Sequence, residues 1–370
     1  MSEVQRDKYW DIVKGLGIIL VVLGHSGCPS AFTIISLNYY HMALFFFISG
    51  FFYKEKNSKD PYAYVGKKLK ELWVPMIKYI VAFILLHNIF LKLNIYSELS
   101  DQPMIYPTVY YTLLDTLNYC FNTIFQSNYP VEMAGAMWFV LPLIVAMGMF
   151  SFVRYWVGFV NIKVIPKELV IGIIIFILTL IGFAFSKNLW KFAWRIDVAL
   201  FSIPIVYLGY LYKRIINVNL KWYFAVIALF IIYYLYKTGY RVSYVEAIIG
   251  NPIKFAFAVI SGIYINLYIA KYINITKNLS KVIALLGKNS FHIMALHFLS
   301  FKVINMLDII INNKPIFMLA QYPYSNDKLW IMNLFAGLFI PMIVVYGFNF
   351  IRSKKDYFIC RIEINKKESY

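Results

Sequence analysis

The sequence predicts an all-α integral membrane protein, a bundle of about ten transmembrane helices with both termini in the cytoplasm. Of its 370 residues, 61% are hydrophobic and only 15% are charged, which is too little charge for the surface of a soluble domain. Apolar runs of about 18–20 residues recur along the chain, and each is long enough to cross a bilayer. The connecting loops differ strongly in their content of lysine and arginine, which indicates a fixed orientation in the membrane.

Ten apolar segments are the basis of this prediction, with limits that are soft by several residues. In chain order they are 11–27, 36–53, 73–93, 136–155, 168–186, 196–213, 221–237, 254–270, 287–306 and 328–351. Hydropathy leaves open whether 105–125 adds another span. Its tyrosines favour an interfacial or re-entrant stretch, since aromatic side chains concentrate at the membrane boundary.

Loop charge predicts the orientation. Lysine and arginine are concentrated at the N-terminus, in the loop that follows the second segment, in every second loop after it and at the C-terminus. Because cytoplasmic loops carry an excess of these residues, both termini are expected in the cytoplasm. We predict one transmembrane domain over residues 1–355 and a short basic cytoplasmic tail over 356–370, in a multi-pass protein of the plasma (inner) cell membrane.

The formal net charge of +18 would suggest nucleic-acid binding in a soluble protein, but here it reflects the basic cytoplasmic loops. The sequence contains no zinc, recognition-helix or RNA-binding motif. Its three cysteines, Cys28, Cys120 and Cys360, have neither metal-ligand spacing nor a disulfide pattern. We therefore expect no nucleic acid, no metal and no permanently bound cofactor.

Ionisable side chains in the first two segments indicate chemistry, because such groups are costly inside apolar spans. Lys14 and His25 are separated by eleven positions, close to three helical turns, so they share one helix face about 16 Å apart along the axis. Asp11 lies one turn before Lys14 on that face and can pair with it. His41 begins the apolar run of the second segment, and a hairpin would return it to the side of His25.

These residues resemble two signatures of the membrane-bound acyltransferase-3 family. Lys14, ten intervening residues and His25 are similar to its Arg/Lys-x10-His pattern. The run His41-Met-Ala-Leu-Phe-Phe-Phe-Ile-Ser-Gly-Phe is similar to a His-Met-small-Leu-Phe-Phe run ending in Ser-Gly-Phe. The resemblance extends over about residues 6 to 350. It implies an O-acyltransferase that moves an acyl group, most often acetyl, from cytoplasmic acyl-coenzyme A to a hydroxyl of a cell-envelope or exported polysaccharide.

The two histidines are the candidate catalytic residues. His25 suits a general base because an unperturbed imidazole titrates near neutrality. His41 is expected to share its pocket, where one ring acts as base and the other orients substrate or polarises a carbonyl. Taken alone, His25 would be better explained as a polar helix cap, and the Lys14 spacing and the second signature reverse this. His41 would be explained equally well as an interfacial residue.

Lys14, Lys67 and Lys70 are the candidate donor-binding residues. Lys67 and Lys70 occupy the family's Arg-x-x-Arg pattern before a proline, here Pro75, with lysine in place of arginine. Lysine binds phosphate as a point charge, whereas arginine would offer a bidentate fork. The alternative explanation is the ordinary positive charge of a cytoplasmic loop.

A weaker group of residues could contact the acceptor or be structural. It consists of Asp11, Glu132, Trp138, Asp197 and His297. Glu132 is the outer-side carboxylate that we would test as an acceptor contact. Asp197 is expected to be a partner of Arg195, or both are interfacial anchors, rather than catalysts. His297, in the middle of a span, is expected to face the interior of the bundle.

The expected partners are acyl-coenzyme A (acetyl-coenzyme A as donor co-substrate), a glycan or lipid-linked saccharide acceptor, and membrane lipids. We expect no further extracytoplasmic domain in the chain, so the membrane domain would act alone or pass the acyl group to a separate partner. The alternative is a transporter or exporter of a lipid-linked sugar, which would also bury charge within its spans. The internal repeats that many transporters show are absent from the sequence. The acceptor, the acyl chain, a covalent intermediate and the oligomeric state stay open.

Overall fold

The computed structural model describes residues 8–97, 109–126, 131–159, 166–214, 219–322, 324 and 327–367. Within these ranges the protein is all-α: no β-strand occurs, and only an isolated bridge pairs Ser243 with Ile248. The predicted all-helical class is therefore confirmed for the described chain.

Fifteen α-helices follow one another in the described ranges. They are α1 (Lys8–His25), α2 (Ala31–Asn38), α3 (His41–Phe51), α4 (Pro61–Lys68), α5 (Val74–Leu85), α6 (His87–Lys92), α7 (Leu113–Gln126), α8 (Val140–Phe159), α9 (Lys167–Lys187), α10 (Ile196–Arg214), α11 (Trp222–Lys237), α12 (Pro252–Ile275), α13 (Leu279–Lys288), α14 (Ser290–Ile311) and α15 (Trp330–Lys367). Short 3₁₀ segments, including Glu55–Ser58, Glu132–Phe139 and Ile316–Ala320, and the π-helical Leu69–Trp73 connect several of them.

Seven helical stretches in the described ranges are long and apolar enough to cross a membrane. They are Ala31–Phe51, Glu132–Phe159, Lys167–Lys187, Ala193–Arg214, Pro252–Ile275, Ser290–Ile311 and Trp330–Ile351. Each overlaps one of the ten predicted segments. A multi-pass membrane protein is thus supported, with seven candidate spans rather than the ten that hydropathy suggested.

The other three predicted segments, 11–27, 73–93 and 221–237, are not among the seven candidate spans, and each has a different reason. α1 carries three charged residues, Lys8, Asp11 and Lys14, within its 18 residues. The segment 73–93 is divided at Leu86 into α5 and α6. α11 has 16 residues and is about 24 Å long, which is less than the thickness of a typical hydrocarbon core. The count of about ten spans and the cytoplasmic location of the termini stay predictions.

The stretch 105–125 and the C-terminal region were also subjects of prediction. In the stretch 105–125, residues 105–108 lie outside the described ranges, and α7 begins at Leu113 with its first leucines exposed. α7 has 14 residues, so it is too short to span a bilayer, and its interfacial position stays a prediction. At the C-terminus α15 continues to Lys367, into the region predicted as a tail, and 368–370 lie outside the described ranges.

Burial separates central from peripheral helices. In the apolar windows of Lys167–Lys187 and Trp330–Ile351 only 28% of the residues are buried, against 78% for Glu132–Phe159. Large apolar side chains such as Phe176 and Phe348 project from the peripheral helices. In a membrane protein such exposed apolar surface is expected to face lipid.

Close glycine contacts hold the two motif helices, α1 and α3, within the bundle. A methyl group on Gly287 of α13 would lie 1.9 Å from the carbonyl oxygen of Asp11 on α1, and Gly15 packs against α13 in the same way. Gly50 of α3 and Gly209 of α10 form a second such contact. Because only glycine permits this approach, these positions fix how α1 and α3 are placed against their neighbours.

Candidate active site

The side chains of Lys14 and His25 lie in two different cavities. The lysine cavity, of about 300 Å³, is named for the five lysines that line it: Lys14, Lys54, Lys56, Lys67 and Lys68. The histidine cavity, of about 90 Å³, is lined by His25 and His41 together with Asn38, Trp138 and Tyr244. The first is wide and strongly basic, and the second is small and contains both candidate catalytic histidines.

α1 and α3 each contribute to both cavities. Along α1, Lys14 lines the lysine cavity and His25 the histidine cavity, about 16 Å further along the axis. Along α3 the order is reversed, because His41 lines the histidine cavity and Ser49 the lysine cavity, about 12 Å apart. The two sequence signatures are therefore antiparallel helices that connect the same two cavities.

His25 is the last residue of α1 and is partly buried. Its Nδ1 lies 2.7 Å from the hydroxyl oxygen of Tyr322, and its ring packs against Phe298 with centroids 4.9 Å apart. One ring nitrogen is thus occupied by Tyr322, which leaves Nε2 for a substrate. The hydrogen bond holds the orientation of the His25 ring, and because a tyrosine hydroxyl can donate or accept, either tautomer of the ring is compatible with it.

His41 is fixed in a similar way by its own backbone. Its Nδ1 lies 2.6 Å from the carbonyl oxygen of Leu37. A carbonyl oxygen can only accept, so Nδ1 carries the proton, and Nε2 of the neutral ring is an acceptor. His41 can therefore receive a hydrogen bond from a hydroxyl group, whereas it cannot donate one from Nε2 while neutral.

The ring of His297 packs against the ring of His25. It is completely buried on α14, as expected for a residue that faces the bundle interior, and its ring centroid lies 5.5 Å from that of His25. Its Nδ1 donates to the carbonyl oxygens of Ile293 and Met294, at 3.1 and 2.9 Å. Since it lines neither cavity, the geometry favours a structural contact with His25 over contact with substrate.

One wall of the histidine cavity is built around Trp138. The guanidinium of Arg195 lies 5.4 Å from the Trp138 ring centroid and forms an ion pair of 3.1 Å with Asp197, which is fully buried. Arg195 also donates to the carbonyl oxygen of Tyr244, at 3.2 Å, in the loop between α11 and α12. The predicted pairing of Asp197 with Arg195 is present, and the pair positions two aromatic residues of the cavity.

The lysine cavity is lined by no carboxylate among the described residues. The Lys14 ammonium lies 4.9 Å from the ring centroid of Phe52, and Asp11, one turn earlier, is buried at the contact with α13. Lys67 and Lys68 pair with Glu71 at 3.6 and 2.8 Å. Position separates these two lysines from the candidate Lys70, which does not line the cavity.

The pKa of Glu71 shows that the electrostatic potential at this cavity is positive. Burial alone would raise the pKa of its carboxyl group, but the hydrogen bond and charge of Lys68, with the charge of Lys67, hold that pKa below its usual value. The cavity therefore favours anions. Phosphate groups are the chemistry that clustered lysine side chains bind.

Glu55 anchors the segment that carries Lys54 and Lys56 to neighbouring helices, and it does not line the lysine cavity itself. The carboxylate of Glu55 accepts hydrogen bonds from Arg154 at 3.0 and 3.2 Å and from the Tyr210 hydroxyl, and it forms an ion pair of 2.5 Å with Arg214. Burial would raise the pKa of Glu55, but these three partners outweigh it and lower that pKa. Arg154 also pairs with Glu168, at 3.1 Å, so α8, α9 and α10 are joined to the segment.

Glu132, a candidate acceptor contact, is buried and lies next to Lys302, with Nζ and Oε1 3.8 Å apart. Both side chains line a third, small cavity on the other side of His25. Sequence reasoning did not identify Tyr322 as a site residue. Tyr322 is one of 31 tyrosines and lies 297 positions from His25, so no local signal distinguished it.

Comparison with known proteins was made through family profiles, curated sequences and solved structures. A family model described as an acyltransferase domain, that of the acyltransferase-3 family, matches residues 7–351. No curated protein and no solved structure matches the chain. The matched region contains α1, α3 and both cavities. The chain therefore belongs to the acyltransferase-3 family and is a membrane acyltransferase.

Proposed function

We propose that this protein transfers an acyl group, in the first instance acetyl, from cytoplasmic acyl-coenzyme A to a hydroxyl of a cell-envelope or exported polysaccharide. The observation that supports this proposal best is the arrangement of α1 and α3. Each helix brings one side chain to a basic cavity and a histidine to a second cavity. Such an arrangement suits a reaction in which one substrate binds at one end of the helix pair and the second substrate binds at the other end.

The lysine cavity is the proposed donor site, open to the cytoplasm in the predicted orientation. Its five lysines and the absence of a lining carboxylate among the described residues favour the phosphates of coenzyme A. Lys14, Lys67 and Lys68 are the lysines best placed for this role, and Phe52 adds an aromatic surface. Lys70 lies outside the cavity and would contribute only long-range attraction.

The histidine cavity is the proposed site of transfer. Nε2 of His25 takes the proton of the acceptor hydroxyl, whose oxygen then bonds to the thioester carbonyl carbon. Nε2 of His41 accepts a hydrogen bond and orients that hydroxyl. When the carbon–sulfur bond breaks, the departing thiolate takes the proton from His25, so the reaction releases no net proton.

A glycan or lipid-linked saccharide is the proposed acceptor. Trp138 and Tyr244 bring aromatic side chains to the histidine cavity, and such side chains present flat apolar faces with a polar edge. Asn38 adds an amide that can both donate and accept hydrogen bonds. This combination suits a sugar ring. Location in the plasma (inner) membrane and participation of a separate extracytoplasmic partner are parts of the same proposal.

The test uses purified protein in liposomes, acetyl-coenzyme A labelled in the acetyl group, and envelope polysaccharide extracted from cells that lack the protein. We expect label in the polysaccharide and release of an equal amount of coenzyme A. Release of coenzyme A without labelled polysaccharide would indicate that a separate partner completes the transfer. Movement of lipid-linked sugar across the liposome without any release of coenzyme A would establish the transporter alternative and refute the proposal.

A further inference from the structure

A third cavity adjoins His25 on the side away from His41. This Glu132 cavity, of about 10 Å³, is lined by polar side chains, among them His25, Tyr322, Glu132, Lys302, Asn305 and Gln321. Asn333 of α15 also lines it. Its walls come from α1, α14, α15 and the two segments that precede α8 and α15, so it lies where distant parts of the chain meet.

Four side-chain oxygens at this cavity have no hydrogen-bond partner among the described residues. They are Glu132 Oε1, Asn305 Oδ1, Gln321 Oε1 and Asn333 Oδ1, all on side chains that are more than nine-tenths buried. Buried polar atoms are satisfied in nearly all native proteins, so four such acceptors around one cavity require a donor. A cavity of about 10 Å³ accommodates one water molecule, which needs two to four polar partners.

Lys302 orders the chain around this cavity. Its ammonium donates to the carbonyl oxygens of Leu319 and Gln321, at 2.8 and 3.4 Å, and lies 3.8 Å from Glu132. It thereby fixes the segment immediately before Tyr322 to α14. Because Gln321 directly precedes Tyr322, this contact lies next to the residue that holds His25.

The Tyr322 hydroxyl can connect His25 to the cavity. Burial raises its pKa, and the charge of Glu132 raises it further, so the hydroxyl keeps its proton at neutral pH. If His25 is the base at Nε2, its Nδ1 carries a proton and donates to the Tyr322 oxygen. The hydroxyl proton of Tyr322 is then free to be donated, and the unpartnered oxygens of the cavity are acceptors.

We propose that the Glu132 cavity holds one water molecule and that His25, Tyr322, this water and Glu132 form a proton relay for acyl transfer. The inference rests on the proposed function. As His25 Nε2 takes the acceptor proton, Nδ1 passes its proton to Tyr322, Tyr322 passes one to the water, and the water passes one to the Glu132 carboxylate. When the thiolate leaves, the same protons move back, and the thiolate takes a proton from His25.

The relay has a physical reason. An imidazolium at His25 would be close to His41 and His297, in a site with little water, where an isolated charge is costly. Moving the proton to the Glu132 carboxylate leaves His25 and Glu132 neutral. The positive charge then resides on Lys302, whose ammonium donates to two carbonyl oxygens. The titratable groups that face His25 from neighbouring elements are His41, His297, Tyr322 and, through the cavity, Glu132 and Lys302.

The test compares Tyr322→Phe and Glu132→Gln with wild type, in the labelled-acetyl assay described above. Both substitutions keep the side-chain shape. We expect kcat to fall at least about tenfold, part of the ~100- to 10,000-fold contribution of general base catalysis, with KM for both substrates unchanged. The ratio of rates in H₂O and D₂O should also change, and Glu132→Asp should restore part of the rate.

Tyr324→Phe is the matched control, because Tyr324 also lines the cavity but its hydroxyl donates to Asp308 at 2.7 Å. It should leave kcat and the isotope effect unchanged. If Glu132→Gln raises only KM for the polysaccharide, Glu132 contacts the acceptor and the relay is refuted. Unchanged kcat and isotope effect in both test variants would refute it as well. Absence of acetyl transfer by wild-type protein would instead remove the proposed function.

Discussion

The lysine cavity and the histidine cavity differ in size, charge and the freedom of their side chains. The lysine cavity has about three times the volume of the histidine cavity, and the Lys67 side chain at its edge is 65% exposed. In the histidine cavity each imidazole is held by one hydrogen bond of 2.6 or 2.7 Å. Flexible exposed charges attract a ligand, whereas fixed buried groups position reacting atoms.

This difference indicates a division of work between the two ends of α1 and α3. The lysine cavity should control donor affinity, through interactions that salt weakens. The histidine cavity should control the chemical step, where a single lost group has a large effect on rate. Close glycine contacts position α1 and α3 against their neighbours, and these two helices set the distance between the two cavities.

The largest contrast expected between the two ends is their accessibility from the two sides of the membrane. In a variant without native cysteines, Lys59→Cys near the lysine cavity should be protected from a membrane-impermeant thiol reagent added to intact cells. Glu246→Cys, in the loop beside the histidine cavity, should be labelled. Both positions are exposed, so accessibility of the side chain itself is comparable. Equal labelling of the two would contradict the predicted orientation.

His25→Gln should lower the rate of acetyl transfer by ~100- to 10,000-fold, because glutamine keeps a hydrogen bond but cannot take the acceptor proton. Binding of coenzyme A, measured by calorimetry, should be unchanged. His292→Gln is the matched control, since His292 also has its Nδ1 2.7 Å from a tyrosine hydroxyl, that of Tyr79, but lines neither cavity. Near wild-type transfer by His25→Gln would mean that His25 is not the base.

The double change Lys67→Ala with Lys68→Ala should weaken binding of coenzyme A by about two- to tenfold, the effect of removing two partly exposed charges from an anion site. The difference from wild type should shrink as salt is added. Lys70→Ala is the control, because Lys70 belongs to the same charged stretch but lies outside the cavity. If Lys70→Ala weakens binding as much as the double change, the lysines act only as a general positive field.

The smallest expected effect concerns stability in acid. Because the folded protein lowers the pKa of Glu55, this carboxylate stabilises the fold above its unfolded pKa of about 4.3, and the contribution is lost as pH falls through the lower folded value. Glu55→Gln should therefore have a lower melting temperature at pH 7 and a smaller further loss on acidification. Glu246→Gln, at an exposed position, is the control, and its melting temperature should fall with pH as that of wild type does. If the melting temperatures of Glu55→Gln and wild type fall identically on acidification, Glu55 is not an anchor.

The amino-acid sequence by itself determined the all-helical class, seven of the candidate spans and the family. These depend on local patterns: apolar run length, and the spacing that places Lys14 and His25 on one helix face. Hydropathy predicts three further spans that the helix lengths and charges do not support, because an apolar average does not register the three charges of α1 or the break at Leu86 in the segment 73–93. The sequence also predicts that His41 lies on the side of His25, because a short hairpin joins the two segments.

Only the tertiary structure decided which groups surround His25. Tyr322 is 297 positions away in the chain, and Lys302 and Glu132 come from separate elements. It also showed that Lys68, rather than Lys70, lines the lysine cavity; two residues that are two positions apart lie on different helix faces, and only the packing shows which face meets the cavity. Helix periodicity is a property of neighbouring residues, whereas these contacts arise from the packing of the whole bundle, which no local pattern encodes.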